Sequence, residues 1–537
     1  MAFSNELTYK KFLEDGRDSE FDFLFDSAVR EVRADFGKTY EMYINGMATK
    51  ADELLEERSP MDRNIIIGRF QKGKREHARL AVQAAKEAFE TWSKTDYRKR
   101  AEIMMKAADI ISRDKFRFGA ILSFENAKSR YESIGEVDEA IDFLRYYSLE
   151  IIENKGYIRK TRATGSNARV NNGFQGAPGA SEKVIIAMKP YGVFGVIAPF
   201  NFPVSISTGM SVGALVTGNT VVFKPSSTDN MTMLTGLWIY NTFREAGLPD
   251  GVFNFVTGPG SEVGDELVVN KDVSGIVFTG SKGVGMSMIA KADSLGLRKT
   301  FVVEMGGKNP TIISRYADLD KAASGVASAA FGFAGQKCSA LSRAYVHESV
   351  KELFVSKLID VVHTFSIGNP LDKNNYIGPL IGESAFATYV DAVKTIKASG
   401  RILYGGNRIT TTMDGFYVEP VIAELGSNSE LFRKELFVPI LLIDTFNTLK
   451  EALEKANDTE YGLTAGFYSS RPKEIKEFSG AIQAGTVYIN RATSATTGAM
   501  VGVHTFVGWK DSGLTGKGTG SRFYLPQFMR EQSISIT

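Results

Sequence analysis

The chain has 537 residues, with 64 Lys+Arg against 62 Asp+Glu and a formal charge of +2. That length exceeds one ordinary core and implies two or more subdomains, and the interspersed charges advertise no nucleic-acid surface. One cysteine excludes an internal disulfide, the four histidines (His77, His347, His363, His504) lack metal-ligand spacing, and no apolar run reaches signal-peptide or bilayer length, so a cytoplasmic, metal-free protein is expected.

From the N-terminus to about Gly156 the periodicity predicts mainly helix. Leu80, Ala84, Ala88 and Trp92 recur every four residues, with Ala81, Ala85 and Phe89 on the same stripe, and Ile103, Ala107, Ile110 and Ile111 repeat the pattern. Between Thr161 and Lys183 the composition shifts to Gly, Asn, Ala and Ser, which predicts a loop or exposed hairpin. From Val193 short β-branched runs alternate with helical ones: Val193 to Ala198, a helix after Pro203, Thr220 to Lys224, a helix through Arg244, and Val252 to Val256. This is βαβ grammar and predicts a largely parallel sheet. A second α/β region follows Glu304, with strand-like runs at Ala344 to Val346, Ile440 to Phe446 and Thr486 to Ile489. Two such lobes leave a cleft where cofactor and substrate can meet. The alternation Gln532-Ser533-Ile534-Ser535-Ile536 predicts an edge strand in need of protection.

Cys338 lies in Gly335-Gln336-Lys337-Cys338-Ser339-Ala340, where Lys337 adds positive charge that favours thiolate; the alternative is a buried cysteine acting as a small core hydrophobe. Glu304 ends the run Phe301-Val302-Val303 before Met305-Gly306-Gly307-Lys308, placing a carboxylate at a strand end as a general base or as a lysine's partner. Asn201, in Pro199-Phe200-Asn201-Phe202-Pro203, is either an oxyanion donor or a helix N-cap. Gly258 to Gly264 after a strand suits close passage of a dinucleotide phosphate, although the spacing is not GxGxxG and a plain turn is an equal reading. Phe278-Thr279-Gly280-Ser281 offers a second glycine turn with hydroxyls.

Together, Pro-Phe-Asn-Phe-Pro around Asn201, Phe-Lys-Pro-Ser at Lys224, Phe-Thr-Gly-Ser at Ser281, Glu-Met-Gly-Gly-Lys at Glu304, Gly-Gln-Lys-Cys at Cys338 and Lys-Glu-Leu-Phe at Glu435 resemble the aldehyde dehydrogenase superfamily in order and spacing, from about Tyr40 to the C-terminus. The resemblance implies an α/β aldehyde dehydrogenase fold. Its parts would be a Rossmann-like cofactor domain (1–164 and 186–303), an α/β catalytic domain (304–515) and a small oligomerisation element (165–185 and 516–537). It implies Cys338 as nucleophile, Glu304 as base and Asn201 as oxyanion donor. Cofactor contacts would come from Lys224, Ser227, Gly258, Gly264, Gly280, Ser281, Glu435 and Phe437.

Gln336-Lys337-Cys338-Ser339-Ala340 with Ser342-Arg343, and Tyr488-Ile489-Asn490-Arg491 followed by Thr497 to His504, look like the pyrroline-5-carboxylate (L-glutamate γ-semialdehyde) dehydrogenase branch. That branch implies oxidation of the semialdehyde to glutamate in proline catabolism, with Ser339 and the amides of Gly498 and Ala499 on the α-carboxylate and Phe202 and Phe506 flanking the methylenes. An anionic tail wants such convergent donors. Glyceraldehyde or succinic semialdehyde as substrate, and a non-catalytic structural relative, are the alternatives.

Three departures stand out: Ser227 where NAD-preferring relatives often carry glutamate, Val507 in Thr505-Phe506-Val507-Gly508, and Val438 where glycine is usual. The first leads to the expectation that NADP is accepted alongside NAD, with preference for NADP as its stronger form. The superfamily also implies a homodimer or an assembly of dimers, the C-terminal strand joining a hairpin of a neighbouring subunit.

Overall fold

The computed structural model describes residues 3–163, 182–227 and 231–536. Its first large sheet has seven strands in the order Thr300–Glu304, Val273–Thr279, Val193–Ile197, Thr220–Lys224, Phe253–Phe255, Met42–Ile44 and Met47–Thr49. The first five are mutually parallel, as the βαβ pattern predicts; Met42–Ile44 runs against them and Met47–Thr49 pairs antiparallel to it. Register aligns Ile197 with Lys224 and Thr279 with Glu304, so the carboxyl ends of the strands open onto one edge. Ligands of open parallel sheets collect at that edge.

The second sheet runs Arg401–Tyr404, Val421–Glu424, Ile440–Phe446, Leu341–His347, Asn309–Ile313, Thr464–Tyr468 and Thr486–Ile489, parallel except for its first strand. Each sheet has its own buried apolar core. A short passage from Glu304 to Asn309 joins the carboxyl edge of the first sheet to the amino edge of the second. The two edges therefore meet across one cleft.

Mostly helical structure before Gly156 holds for Thr8–Glu14, Asp18–Ala34 and the helices from Arg75 to Glu153, but not for residues 39–71, which form five strands. The signal there is local. Asn45-Gly46 adopts positive φ at both residues (52° and 74°) and closes a tight hairpin between Met42–Ile44 and Met47–Thr49. In the helix Arg75–Trp92 the expected Ala81, Ala84, Ala85 and Trp92 are buried, together with Ala78 and Val82, whereas Leu80 is 57% exposed. In Tyr97–Arg113 the expected Ile103, Ala107, Ile110 and Ile111 are all buried.

The helix Met233–Ala246 has no side-chain cap of its own. Two buried glutamates from elsewhere take its first amides instead: Glu57 accepts from Met233 (3.0 Å) and Leu234 (3.2 Å), and Glu125 accepts from Thr235 (3.0 Å). Acceptor oxygens suit this end of a helix, where the first amides lack partners, and their burial ties three segments together.

A third, antiparallel sheet orders Met529–Ile536, Glu182–Pro190 and Ile158–Ala163. The hairpin expected between Thr161 and Lys183 thus has its two arms in place, while its tip, residues 164–181, lies outside the described residues. The C-terminal strand lies at the sheet's edge, as expected, and on its inner side pairs with its own chain's hairpin from Met529↔Pro190 to Ile536↔Lys183.

Candidate active site

Cys338 precedes the strand Leu341–His347 and sits at the end of an unusual turn. Phe333, Ala334 and Gly335 all have positive φ (51°, 51° and 69°), and a side chain on Gly335 would meet the Val438 carbonyl at 2.7 Å. Gln336, fully buried, locks this turn by accepting from the Ile381 amide at 2.8 Å. Asn309 donates to the carbonyls of Cys338 (2.8 Å) and Ala340 (2.9 Å), and Thr496 to that of Ser339 (2.8 Å). Such local strain persists only where surrounding contacts over-determine it.

Cys338 lines a cavity of about 430 Å³ together with Glu304, Ser339, Gly498, Ala499, Phe202 and Phe506. Seven residues singled out in the sequence therefore share one space. Glu304 is half-buried, with Oε1 lacking a hydrogen-bond partner. Burial pushes its carboxyl up to about 7, against the pull of the neighbouring Cys338 thiol. The thiol itself is raised well above its ordinary range, by burial first and by the Glu304 carboxylate second.

This corrects the expectation that Lys337 favours thiolate. The Lys337 ammonium is held by Glu132 at 2.7 Å, so its charge is neutralised on the spot and the resting cysteine keeps its proton.

Asn201 is buried in the loop after Val193–Ile197, and its Nδ2 donates to the Gln336 carbonyl at 3.2 Å. It does not cap the following helix, Ser205–Val216, whose cap position is Val204. One of its two amide hydrogens remains for another acceptor.

The residues expected at a cofactor lie outside that cavity, around the carboxyl edge of the first sheet. Lys224 Nζ donates to Ser227 Oγ (3.0 Å) and to the Pro225 carbonyl (3.1 Å), and Ser227 Oγ donates to the Gly258 carbonyl. Burial with no carboxylate nearby brings the Lys224 ammonium down to about 8. At Gly258 (φ +149°) a Cβ would strike the Gly73 carbonyl at 2.4 Å and Val263 at 2.7 Å, whereas one on Gly264 would lie 3.9 Å from the Lys224 methylenes, in ordinary contact. Ser281, after Gly280, caps the helix Lys282–Ser294 by accepting from the Val284 amide.

On the opposite side Glu435 accepts from the Gly307 amide at 2.8 Å, and burial raises its carboxyl to about 7. Phe437 (φ +60°) packs edge-on to Phe200 with centroids 5.8 Å apart.

Several residues of this region carry no strong sequence signal. Lys128, fully buried, pairs with Glu136 and places its ammonium 3.4 Å from the centroid of the Phe202 ring. Arg491 supports the Gly498 loop, donating to the carbonyls of Thr497 and Gly498 at 3.3 Å. Gly498 itself has φ +93°, which favours glycine. The four-residue spacing of Lys128, Glu132 and Glu136 could have flagged the Lys128–Glu136 pair, but the partner of Glu132, Lys337, is distant in sequence.

A cysteine with a carboxylate beside it, an amide donor within one loop and a glycine-cradled lysine at a sheet edge are the working parts of one class of enzyme. The chain belongs to the aldehyde dehydrogenase family, which it matches over residues 47–534. Within that family it is 37% identical over 517 residues to 1-pyrroline-5-carboxylate dehydrogenase 1 of Halalkalibacterium halodurans, covering 95% of each chain. It is 36% identical over 516 residues to 1-pyrroline-5-carboxylate dehydrogenase 2 of Bacillus subtilis, again covering 95% of each.

Among solved structures, 1-pyrroline-5-carboxylate dehydrogenase from Thermus with bound NAD superimposes with a TM-score of 0.90 at 32% identity, covering 100% of this chain and 99% of that one. Proline utilization A from Bdellovibrio bacteriovorus gives 0.89 at 33% identity. The chain spans about half of that longer protein, 53% of its length. Among the described residues no helix is long and apolar enough to cross a membrane, and no group of three or more His, Cys, Asp or Glu could hold a metal.

Proposed function

We propose that the chain oxidises an aldehyde with a carboxylate tail, first of all L-glutamate γ-semialdehyde, to the carboxylic acid. The observation that carries this reading is the single cavity that Cys338 and Glu304 share with Ser339, Gly498 and Ala499. A nucleophile and base alone would serve any aldehyde; hydroxyl and amide donors converging in the same space suit an anionic substrate tail. The names of the relatives support the same substrate. Phe202 and Phe506 provide the apolar walls for the intervening methylenes.

A bound NAD or NADP supplies the hydride acceptor. The residues present suit such a group: Lys224 has a buried ammonium with one donor left over and no carboxylate partner, Ser281 opens a helix N-terminus, and the turn at Gly258 packs too closely on the Gly73 carbonyl to carry a side chain. Glu435 and Phe437 would hold its nicotinamide end. The remaining chemistry belongs to the chain. The Cys338 proton passes to water, the sulfur adds to the aldehyde carbon, and Asn201 with the Cys338 amide stabilises the oxyanion. After oxidation a thioester links the acyl group to Cys338. Glu304 then takes a proton from water, which attacks the thioester and releases acid and thiol.

In this reading residues 1–164 and 186–303 bind cofactor, 304–515 carry the catalytic domain, and 165–185 with 516–537 belong to the element that joins subunits into a homodimer or larger assembly. The lone cysteine suits a reducing cytoplasm.

Initial rates with L-glutamate γ-semialdehyde, glyceraldehyde, succinic semialdehyde and an unbranched aliphatic aldehyde test the substrate. A clear kcat/KM preference for the first is expected. Good rates on another aldehyde with little on the semialdehyde would overturn the assignment while keeping the mechanism.

Ser227 bears on the cofactor. Serine neither repels a 2′-phosphate nor clamps the ribose diol, so NADP should be used as well as NAD. Placing a carboxylate there, with Ser227→Glu beside Lys224, is expected to lower kcat/KM for NADP by about tenfold or more while leaving NAD within a few-fold, a like-charge effect. Equal change for both cofactors would count against Ser227 as the discriminating residue.

A further inference from the structure

The N-terminal segment is joined to the substrate cavity by more contacts than anchoring requires. Asn5, Glu6 and Leu7 line the same cavity as Cys338. The Asn5 amide spends its two hydrogens on two different elements: Nδ2 donates to Asp142 Oδ2 at 2.7 Å, on the helix Arg130–Glu153, and to the Val501 carbonyl at 3.0 Å. The Glu6 amide occupies the other Asp142 oxygen at 2.8 Å, and Thr8 donates to Asp138 through both its amide and its hydroxyl at 2.7 Å. Phe3 stacks edge-on to Tyr146 with centroids 5.2 Å apart. Gly502 (φ +73°) passes directly beneath both rings, where a Cβ would lie 3.0 Å from Phe3 and 2.9 Å from Tyr146.

Val501 is two residues beyond Ala499, and Gly502 completes the same turn. The segment therefore grips the backbone immediately after the two amides assigned to the substrate carboxylate. We propose that the N-terminal segment, through Asn5, positions the Gly498–Val501 loop and thereby sets discrimination in favour of carboxylate-bearing aldehydes. This rests on the reading of Gly498 and Ala499 given above. Asn5 acts through the loop, not on the substrate: it is a positioning residue. Two backbone amides converge on one carboxylate only if the loop is held in one arrangement, and displacements of an ångström there weaken binding steeply. The reacting sulfur, fixed by Gln336 and Asn309 on the other lobe, does not depend on this contact.

The test compares wild type, Asn5→Ala, Asn5→Gln and the exposed neighbour Ser4→Ala in steady-state oxidation of L-glutamate γ-semialdehyde and of propanal, with thermal melts to verify folding. For Asn5→Ala, losing two hydrogen bonds to fixed partners is expected to raise KM for the semialdehyde about tenfold with kcat nearly unchanged, while both constants for propanal stay within about twofold. Asn5→Gln should recover part of the loss, and Ser4→Ala should behave as wild type. Equal losses on both aldehydes, or none on either, would overturn the proposal, because a purely structural strap affects every substrate alike. Failure of the wild type itself to oxidise the semialdehyde would instead sink the substrate reading on which the proposal rests.

Discussion

Replacing Cys338 with alanine is expected to lower turnover by about 10⁴-fold or more, since removing the nucleophile of a covalent mechanism leaves only binding and oxyanion stabilisation. Cofactor titration by protein fluorescence should still show binding within a few-fold of wild type, because Lys224, Ser227 and Gly258 lie outside the Cys338 cavity. Residual oxidation near the wild-type rate would remove Cys338 from the mechanism. The resting thiol adds a constraint: burial and the Glu304 carboxylate hold it protonated, so attack requires proton removal at the moment substrate is in place. Alkylation by a neutral reagent should accordingly be slow at neutral pH and accelerate as pH rises.

Glu304→Gln should separate the two halves of the reaction. We expect a burst of reduced cofactor of about one equivalent per site, followed by steady-state turnover reduced by about 10²- to 10³-fold, the usual range for loss of a general base. Rapid-mixing absorbance at the reduced-nicotinamide band reads both phases. Loss of the burst would mean that Glu304 is needed to deprotonate Cys338 as well as water, and would reverse the assigned order. In the wild type, burial holds the Glu304 carboxyl at about 7, so deacylation should rise with pH through that value as the base form accumulates. The same shift has a cost in stability with a definite sign. An acid raised from 4.5 to about 7 on folding is favoured protonated, so its contribution is fully present at low pH and is lost as pH climbs between those values, by on the order of 3 kcal/mol. Glu304→Gln should therefore flatten the stability profile in that window, opposite to the effect of removing a salt-bridged carboxylate.

Much of both large sheets was legible because fully buried parallel strands read as short β-branched runs. Thr220–Lys224, Ile440–Phe446 and Thr486–Ile489 coincide with their predicted spans. Residues 39–71 escaped because their strands are short and mixed in polarity, so the Asn45-Gly46 turn was the informative signal and the apolar period was not. The site was legible where a residue type is rare or bound to a glycine motif, as for Cys338 and Glu304. It was illegible where function depends on pairing across distance. That Glu132 neutralises Lys337, or that Asn5 reaches Val501, 496 positions away, no local window can reveal.

The short passage from Glu304 to Asn309 has an evolutionary meaning. It divides the site between two separately packed halves, with Lys224, Ser227 and Glu304 on one and Cys338, Ser339, Gly498 and Ala499 on the other. A lineage built this way can alter what it oxidises by rewriting the surface loop between Ile489 and Trp509, and alter which dinucleotide it uses by rewriting the turn after Lys224. The cores behind the two regions are separate, although contacts such as Asn5 to Val501 and Glu435 to Gly307 cross between them, so new specificities can be sampled largely one half at a time.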